Sequence, residues 1–374
     1  MRIRAAVLEA MGLPRPYAES RPLRVEDVEL APPGPGEVLV RIAAAGLCHS
    51  DLSVIDGSRP RPLPMVLGHE AAGVVEEVGA EVGDIARGDH VVLVFVPACG
   101  HCLPCMEGRP ALCEPGAAAN GAGTLLSGAR RLARGGEAVN HHVGVSAFAT
   151  HATVSRRSVV RIDRDLPLEK AALFGCAVLT GAGAVVNTGG VRPGQTVAIV
   201  GLGGVGLCAL LAAIAAGARE IVAIDLLPEK LAFARDLGAT SVVDAAGERV
   251  VEAIRDLTRG GVDLALEFAG SVKALELAWA ITRRGGTTIT AGLPHPSSRL
   301  PVPIVQLVAE ERQLLGSYIG TAVPGRDVPR LIELYRRGRL PVDRLVSGSL
   351  SLDAINAGFD RLADGLAIRQ IVRA

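Results

Sequence analysis

The 374-residue chain is 49% hydrophobic and 21% charged, which supplies material for more than one core and excludes disorder over most of its length. Lys plus Arg and Asp plus Glu number 39 each, so there is no whole-protein electrostatic case for nucleic acid or an anionic membrane, and the expected partner is a small molecule. With 3% aromatic residues and 45 glycines, the core must be built from Ala, Val, Leu and Ile around many tight backbone positions, which suits an α/β protein.

The opening residues Met1-Arg2-Ile3-Arg4-Ala5 lack the apolar run and cleavage site of a secretory signal, which predicts a cytoplasmic protein. From Arg2 to about Ile162, short alternating runs at Glu37 to Ile42, Ala72 to Val78 and His90 to Val94, separated by Gly/Pro turns, predict an all-β barrel or roll. Ala118 to His142 is Gly- and Arg-rich without clear periodicity. It reads as a surface insertion, with Arg130, Arg131 and Arg134 on a solvated face.

Seven cysteines fall along the chain, and an odd count with tight clustering argues for metal rather than a disulfide framework. Cys99, Cys102, Cys105 and Cys113 read C-x2-C-x2-C-x7-C. Four thiolates on one short lobe close tetrahedrally on zinc and leave no position for substrate, so that site is expected to be structural, the alternative being free buried thiols. Cys48, His69 and Cys176 are more dispersed, and each alone reads more readily as a packed core residue. Together, two thiolates and an imidazole would neutralise zinc and leave its fourth position open, as catalysis requires. Asp51 is placed to accept the second ring N–H of His69, and Glu70 adds a carboxylate beside the metal.

Glu169 to Thr188 is a small-residue helical stretch carrying Cys176, and Val191-Arg192-Pro193-Gly194 is the turn after it. Gln195 to Val200 is a short apolar, β-branched run. Gly201-Leu202-Gly203-Gly204-Val205-Gly206 comes next, then a helix of small apolar residues from Leu207 to Ala218 and a strand from Ile221 to Asp225. In this βαβ unit the first glycine permits the turn, the second admits a pyrophosphate and the third lets helix pack on strand. Asp225, 19 residues beyond Gly206, is positioned for the adenosine ribose and disfavours a 2′-phosphate, although Lys230 lies close by. The uncharged stretch from Val197 to Ala218 is long enough to span a bilayer, but its four glycines fit a strand, turn and buried helix more economically. Later strands are expected at Asp263 to Glu267 and Gly286 to Ala291, with strand and helix alternating to about Gly316.

These residues, in this order, resemble the zinc-dependent alcohol dehydrogenases of the medium-chain dehydrogenase/reductase superfamily over nearly the whole chain. The resemblance implies an α/β fold in which residues 1–177 and 320–374 form a GroES-like β-barrel catalytic domain, with a zinc lobe at about 97–115. Residues 178–319 would then form a Rossmann NAD-binding domain with a doubly wound parallel sheet. It implies catalytic zinc on Cys48, His69 and Cys176 and structural zinc on Cys99, Cys102, Cys105 and Cys113. NAD would bind at Gly201 to Gly206, with Leu202 and Val205 in that loop, and at Asp225 and Lys230.

By the same resemblance, Ser50 receives the alcohol proton, His49 lies near the cofactor pyrophosphate, Glu70 stands behind the zinc, Thr180 flanks the nicotinamide and Arg369 reaches the pyrophosphate. Many members carry a His three residues after that Ser, where this chain has Ser53, so proton exit is expected through His49 or water. The long form resembles the dimeric branch and implies a homodimer. Leu52, Phe95, Leu293 and Ile319 would give an apolar pocket suited to a primary aliphatic or aromatic alcohol. Two alternatives stand beside this reading. One is a glutathione- or mycothiol-dependent formaldehyde dehydrogenase, against which Asp56-Gly57 and Ala117 count, and the other is a non-catalytic zinc- and nucleotide-binding protein.

Overall fold

A computed structural model describes residues 1–373, which divide into two compact units. The first comprises Met1–Cys176, Val323–Pro329 and the return from Asp343. The second comprises Ala177–Ala322 and also takes Arg330–Val342, which the expected boundaries assign to the first.

In the first unit, alternating apolar strands close on themselves. Arg2–Leu8, Leu23–Leu30, Leu132–Arg134, Glu137–His141 and Met65–Val66 form a closed barrel, whose apolar set includes Ile3, Val7, Val28, Leu30 and Val139. A second sheet runs Val159–Ile162, His90–Leu93, Ala71–Val78, Glu37–Gly46, Arg369–Arg373 and Val346–Ser351. Glu37–Gly46, the longest strand of that sheet, also pairs with His151–Ser155, and its register against Ala71–Val78 shifts at Leu39/Val40 and Ile42/Ala44. Such irregularities bend a strand and re-aim the residues beyond it. In this strand those residues are Leu47-Cys48, delivered to the start of helix His49–Ile55.

The segment expected as a surface insertion is largely built into this unit. Glu114–Ala122 is a helix, and the hairpin Leu132–Arg134/Glu137–His141 supplies two barrel strands. Strands of three and five residues are too short to show a period of two, so backbone pairing rather than pattern defines them. The arginines are also not simply solvated. Arg130 donates to Asn140 Oδ1, Arg131 to the buried Glu37 at 2.7 Å, and Arg134 bridges Glu9 and Glu26.

The second unit is a six-stranded parallel sheet in the order Ser241–Asp244, Glu220–Asp225, Thr196–Val200, Val262–Glu267, Thr282–Thr290, Gln313–Gly316. Numbered in chain order this is 3-2-1-4-5-6, the doubly wound arrangement whose strand order reverses at the first strand. The stretch weighed as a membrane span resolves into strand Thr196–Val200 and helix Gly204–Ala215, which starts inside the glycine loop rather than after it. Among the described residues no single helix is long and apolar enough to cross a bilayer.

The helical stretch expected over Glu169 to Thr188 is broken into Leu168–Ala171, a 3-10 turn Ala172–Gly175, helix Ala177–Gly183 and a π turn Ala184–Thr188. Cys176 sits at the break with φ −141° and ψ −71°. Gly175 makes the break fit, because a Cβ there would lie 2.3 Å from the Leu93 carbonyl oxygen. Gly175→Ala is therefore expected to lower stability by about 1–3 kcal/mol in urea unfolding. Gly121→Ala, where a Cβ meets nothing within 4 Å in a helix, should instead raise it by about 0.5 kcal/mol.

Candidate active site and metal centres

Three separate segments of the first unit bring Cys48, His69, Glu70 and Cys176 together, with one ligating atom from each lying within 4.8 Å of the others. Cys48 precedes helix His49–Ile55 in extended conformation, and its carbonyl accepts the N–H groups of Asp51 and Leu52. His69 and Glu70 come directly after Gly68, whose φ of +95° only glycine adopts readily and whose Cβ would lie 2.5 Å from the Phe148 nitrogen. All four residues are buried, Cys48 being 6% and Glu70 0% exposed.

A buried cluster of this kind is electrostatically incomplete. The hydrogen bond from Cys176, helped by His69 and opposed by burial, holds the Cys48 thiol well below its usual pKa. The same bond and burial push the Cys176 thiol well above. Burial pulls the His69 imidazole down, but Asp51 and Cys48 outweigh it and the ring ends well above its ordinary value. Burial pushes the Glu70 carboxyl up to about 7 despite its pairing with Arg369. Two thiols compete for one negative charge, and a divalent cation between them would let both ionise. The donor set fits zinc.

Behind this set, His69 Nδ1 lies 3.0 Å from Asp51 Oδ2, which leaves Nε2 as the nitrogen for a metal. The Phe95 ring stands edge-on to His69 with centroids 5.1 Å apart. Ser50 is half-buried in the first turn after Cys48, and His49 beside it is exposed. Ser53 Oγ donates to the His49 carbonyl at 2.8 Å and is committed to the helix backbone. Arg369, which the resemblance directs to a pyrophosphate, here extends its guanidinium to Glu70, and both are buried. A carboxylate taken wholly out of water needs such a counter-charge. Sequence reasoning missed His142, whose Nδ1 lies 3.2 Å from Asp51 Oδ1. The only signal was the pair His141-His142 at the end of a segment with no visible pattern.

The second cysteine group is equally convergent, with the sulfurs of Cys99, Cys102, Cys105 and Cys113 within 4.8 Å of one another. Backbone N–H groups of His101 and Cys102 donate to Cys99 Sγ, and those of Cys99 and Gly116 to Cys113 Sγ. The His101 N–H leads in holding the Cys99 thiol down at about 6, while burial pushes Cys105 up to about 12. These sulfurs also fit zinc, and His101 is exposed.

In the second unit the glycine loop comes after the first strand of the sheet. Gly201 has φ +93° and a Cβ there would meet Ala269 N at 2.7 Å, while one at Gly206 would meet the Gly201 oxygen at 1.9 Å. Gly203 is different: a Cβ there meets no protein atom within 4 Å, so the protein itself does not demand a glycine. An external phosphate approaching the N-terminus of helix Gly204–Ala215 would demand one, so the loop fits a dinucleotide. Leu202 N–H donates to Asp225 Oδ2 at 2.7 Å, and Leu226 and Leu227 N–H to Oδ1, fixing this carboxylate at the loop. Val205, Lys230 and Thr180 are half-buried, Thr180 on helix Ala177–Gly183. Of the expected pocket residues, Leu52 and Ile319 are buried and Phe95 half-buried, whereas Leu293 is 52% exposed.

Residues 34–164 match the alcohol dehydrogenase GroES-like domain family and residues 204–337 the zinc-binding dehydrogenase family. An NDMA-dependent alcohol dehydrogenase of Amycolatopsis methanolica is 39% identical over 377 residues, covering 100% of this chain and 99% of the relative. The chain belongs to the zinc-dependent alcohol dehydrogenases of the medium-chain dehydrogenase/reductase superfamily. The solved benzyl alcohol dehydrogenase of Acinetobacter calcoaceticus is 34% identical with a TM-score of 0.93, covering 100% of this chain and 99% of that one. An alcohol dehydrogenase zinc-binding domain protein from Burkholderia ambifaria reaches 38% and 0.94 with the same coverage. This dehydrogenase is thus a zinc-dependent oxidoreductase of the alcohol dehydrogenase type.

The Glu70–Arg369 pair gives a stability prediction. Removing one partner leaves the other charge buried, so Arg369→Leu is expected to cost about 3–5 kcal/mol. Pairing it with Glu70→Leu should recover part of that loss. Chemical denaturation of the single and double variants checks this.

Proposed function

We propose that this dehydrogenase transfers hydride between a primary aliphatic or aromatic alcohol and NAD, using one catalytic and one structural zinc per chain. The observation that carries the reading is the buried convergence of Cys48, His69 and Cys176, with the fourth group of the cluster, Glu70, engaged by Arg369 through Oε2, so that three donors are left where a closed structural site has four. NAD is favoured because Asp225 presents a carboxylate at the end of the second strand in the sheet's chain order, where a 2′-phosphate would be repelled. The likeness to a benzyl alcohol dehydrogenase and the apolar side chains of Leu52 and Phe95 support a primary, apolar alcohol.

When bound, zinc supplies the Lewis acid that eases loss of the alcohol proton, and the nicotinamide supplies the hydride acceptor. The chain's own residues do the rest. Cys48 and Cys176 balance the metal's charge, and Asp51 sets the His69 tautomer. Ser50 Oγ, two residues after Cys48, takes the proton and hands it to His49 or to water at the exposed side of the helix. Gly201 to Gly206 and Asp225 seat the dinucleotide, with Lys230 near its ribose and Thr180 beside its nicotinamide.

Reduced-nicotinamide absorbance over a panel of alcohols tests this reading. Primary aliphatic or benzylic alcohols should turn over with NAD and without added thiol. A strict need for glutathione or mycothiol would move the assignment to a formaldehyde dehydrogenase, and no turnover at all would leave a binding protein. Ser50→Ala should lower kcat by about 10²- to 10⁴-fold while NADH fluorescence titration is unchanged. Elemental analysis should return two zinc ions per chain.

We further infer a homodimer. Gln313–Gly316 is an edge strand of the parallel sheet, and helix Ile304–Ala309 just before it exposes Ile304 (75%), Val305 (77%) and Val308 (72%). A second copy placed by two-fold symmetry would pair that edge and cover those side chains. Val305→Asp combined with Val308→Asp is expected to shift sedimentation from dimer to monomer.

A further inference from the structure

The polar residues buried behind His69 exceed what a carboxylate needs to hold one ring. Asp51 is fully buried, and its two oxygens have separate duties. Oδ2 faces His69 Nδ1 at 3.0 Å, while Oδ1 faces His142 Nδ1 at 3.2 Å and accepts the Gly68 N–H at 3.1 Å. The rings of His69 and His142 stand edge to face with centroids 5.7 Å apart, one on each side of the carboxylate.

We propose that His142 is a positioning residue for the zinc site: by holding Asp51 Oδ1 it fixes the plane of the carboxylate that orients His69. This rests on the zinc reading above. Each partner of a carboxylate oxygen narrows its rotation about the last side-chain bond. Loss of His142 would leave Oδ1 with the Gly68 N–H alone, at 3.1 Å, and loosen the carboxylate that orients the His69 ring.

The backbone around His142 is consistent with a residue placed for a purpose. Val143 has φ +44°, Gly144 +70° and Ser146 +56°. A β-branched residue rarely adopts such a value, and strain of this kind persists only where surrounding structure over-determines it. Three hydrogen bonds do so here. His142 N–H donates to Ser146 Oγ at 2.9 Å, and the N–H groups of Ala147 and Phe148 donate to the carbonyls of Gly68 and Leu67. The turn that carries His142 is thus bonded to the segment that carries His69.

The test uses purified holoenzyme and a chromophoric chelator that separates zinc release from the two cysteine sets. His142→Leu removes the donor. His142→Asn keeps an N–H at the position of Nδ1. Zinc retention at the Cys48 set is expected to weaken by roughly 10- to 100-fold in H142L and to recover largely in H142N, with the four-cysteine set unchanged in both. Retention equal to wild type in H142L, or equal loosening of both sets, would overturn the positioning role. Wild-type enzyme without zinc at the Cys48 set would instead overturn the zinc reading itself. Because H142L risks misfolding, nitrogen-15 spectra of the wild-type histidines give a second, independent readout. Nδ1 of His142 must carry a proton, and a ring protonated only at Nε2 sinks the proposal.

Discussion

A knot of soft donors that the polypeptide cannot satisfy by itself governs the rest of this molecule. Cys48, His69 and Cys176 are excluded from water with Glu70 beside them, and ordinary packing would leave that arrangement with competing charges. The surrounding architecture makes sense as the means of holding them there. A strand with irregular register aims Cys48, a glycine at positive φ lying close against Phe148 leads into His69, and a helix breaks at Cys176 where continuity would have been the easier course. These local departures from regular structure lie on the segments that carry the cluster, which is where such departures are expected to concentrate.

The two cysteine-containing clusters differ in how much fold they require. The sulfurs of Cys99 to Cys113 come from one short stretch, and backbone N–H groups of that stretch already point at two of them. The other set is spread over more than a hundred residues and exists only once the first unit has formed. The glycine loop is intermediate: Gly201 and Gly206 answer to packing within the second unit, whereas a Cβ at Gly203 would meet no protein atom within 4 Å.

Legibility from sequence divides along the same line. Features that depend on local spacing were readable, namely the four-cysteine lobe, the glycine loop with Asp225 and the alternation that gives the parallel sheet. Features created by long-range contact were not. The hairpin 132–141 carries no periodic signal because its strands are too short, and its arginines read as solvated although Arg131 reaches back to Glu37. Glu169 to Thr188 has the composition of one continuous helix, and only the Leu93 carbonyl against Gly175 shows why it breaks. His142 was invisible as a partner of Asp51 because the two are brought together by the turn at 143–146. Arg369 was singled out by resemblance, but its side chain lies on Glu70.

That last contact sets an order of events during synthesis. Glu70 and Arg369 are separated by 299 positions, and the strand Arg369–Arg373 lies against Glu37–Gly46, which leads to Cys48. At ribosomal speeds of about 5–20 residues per second, the Glu70 carboxylate waits roughly 15–60 s for the cation that neutralises it.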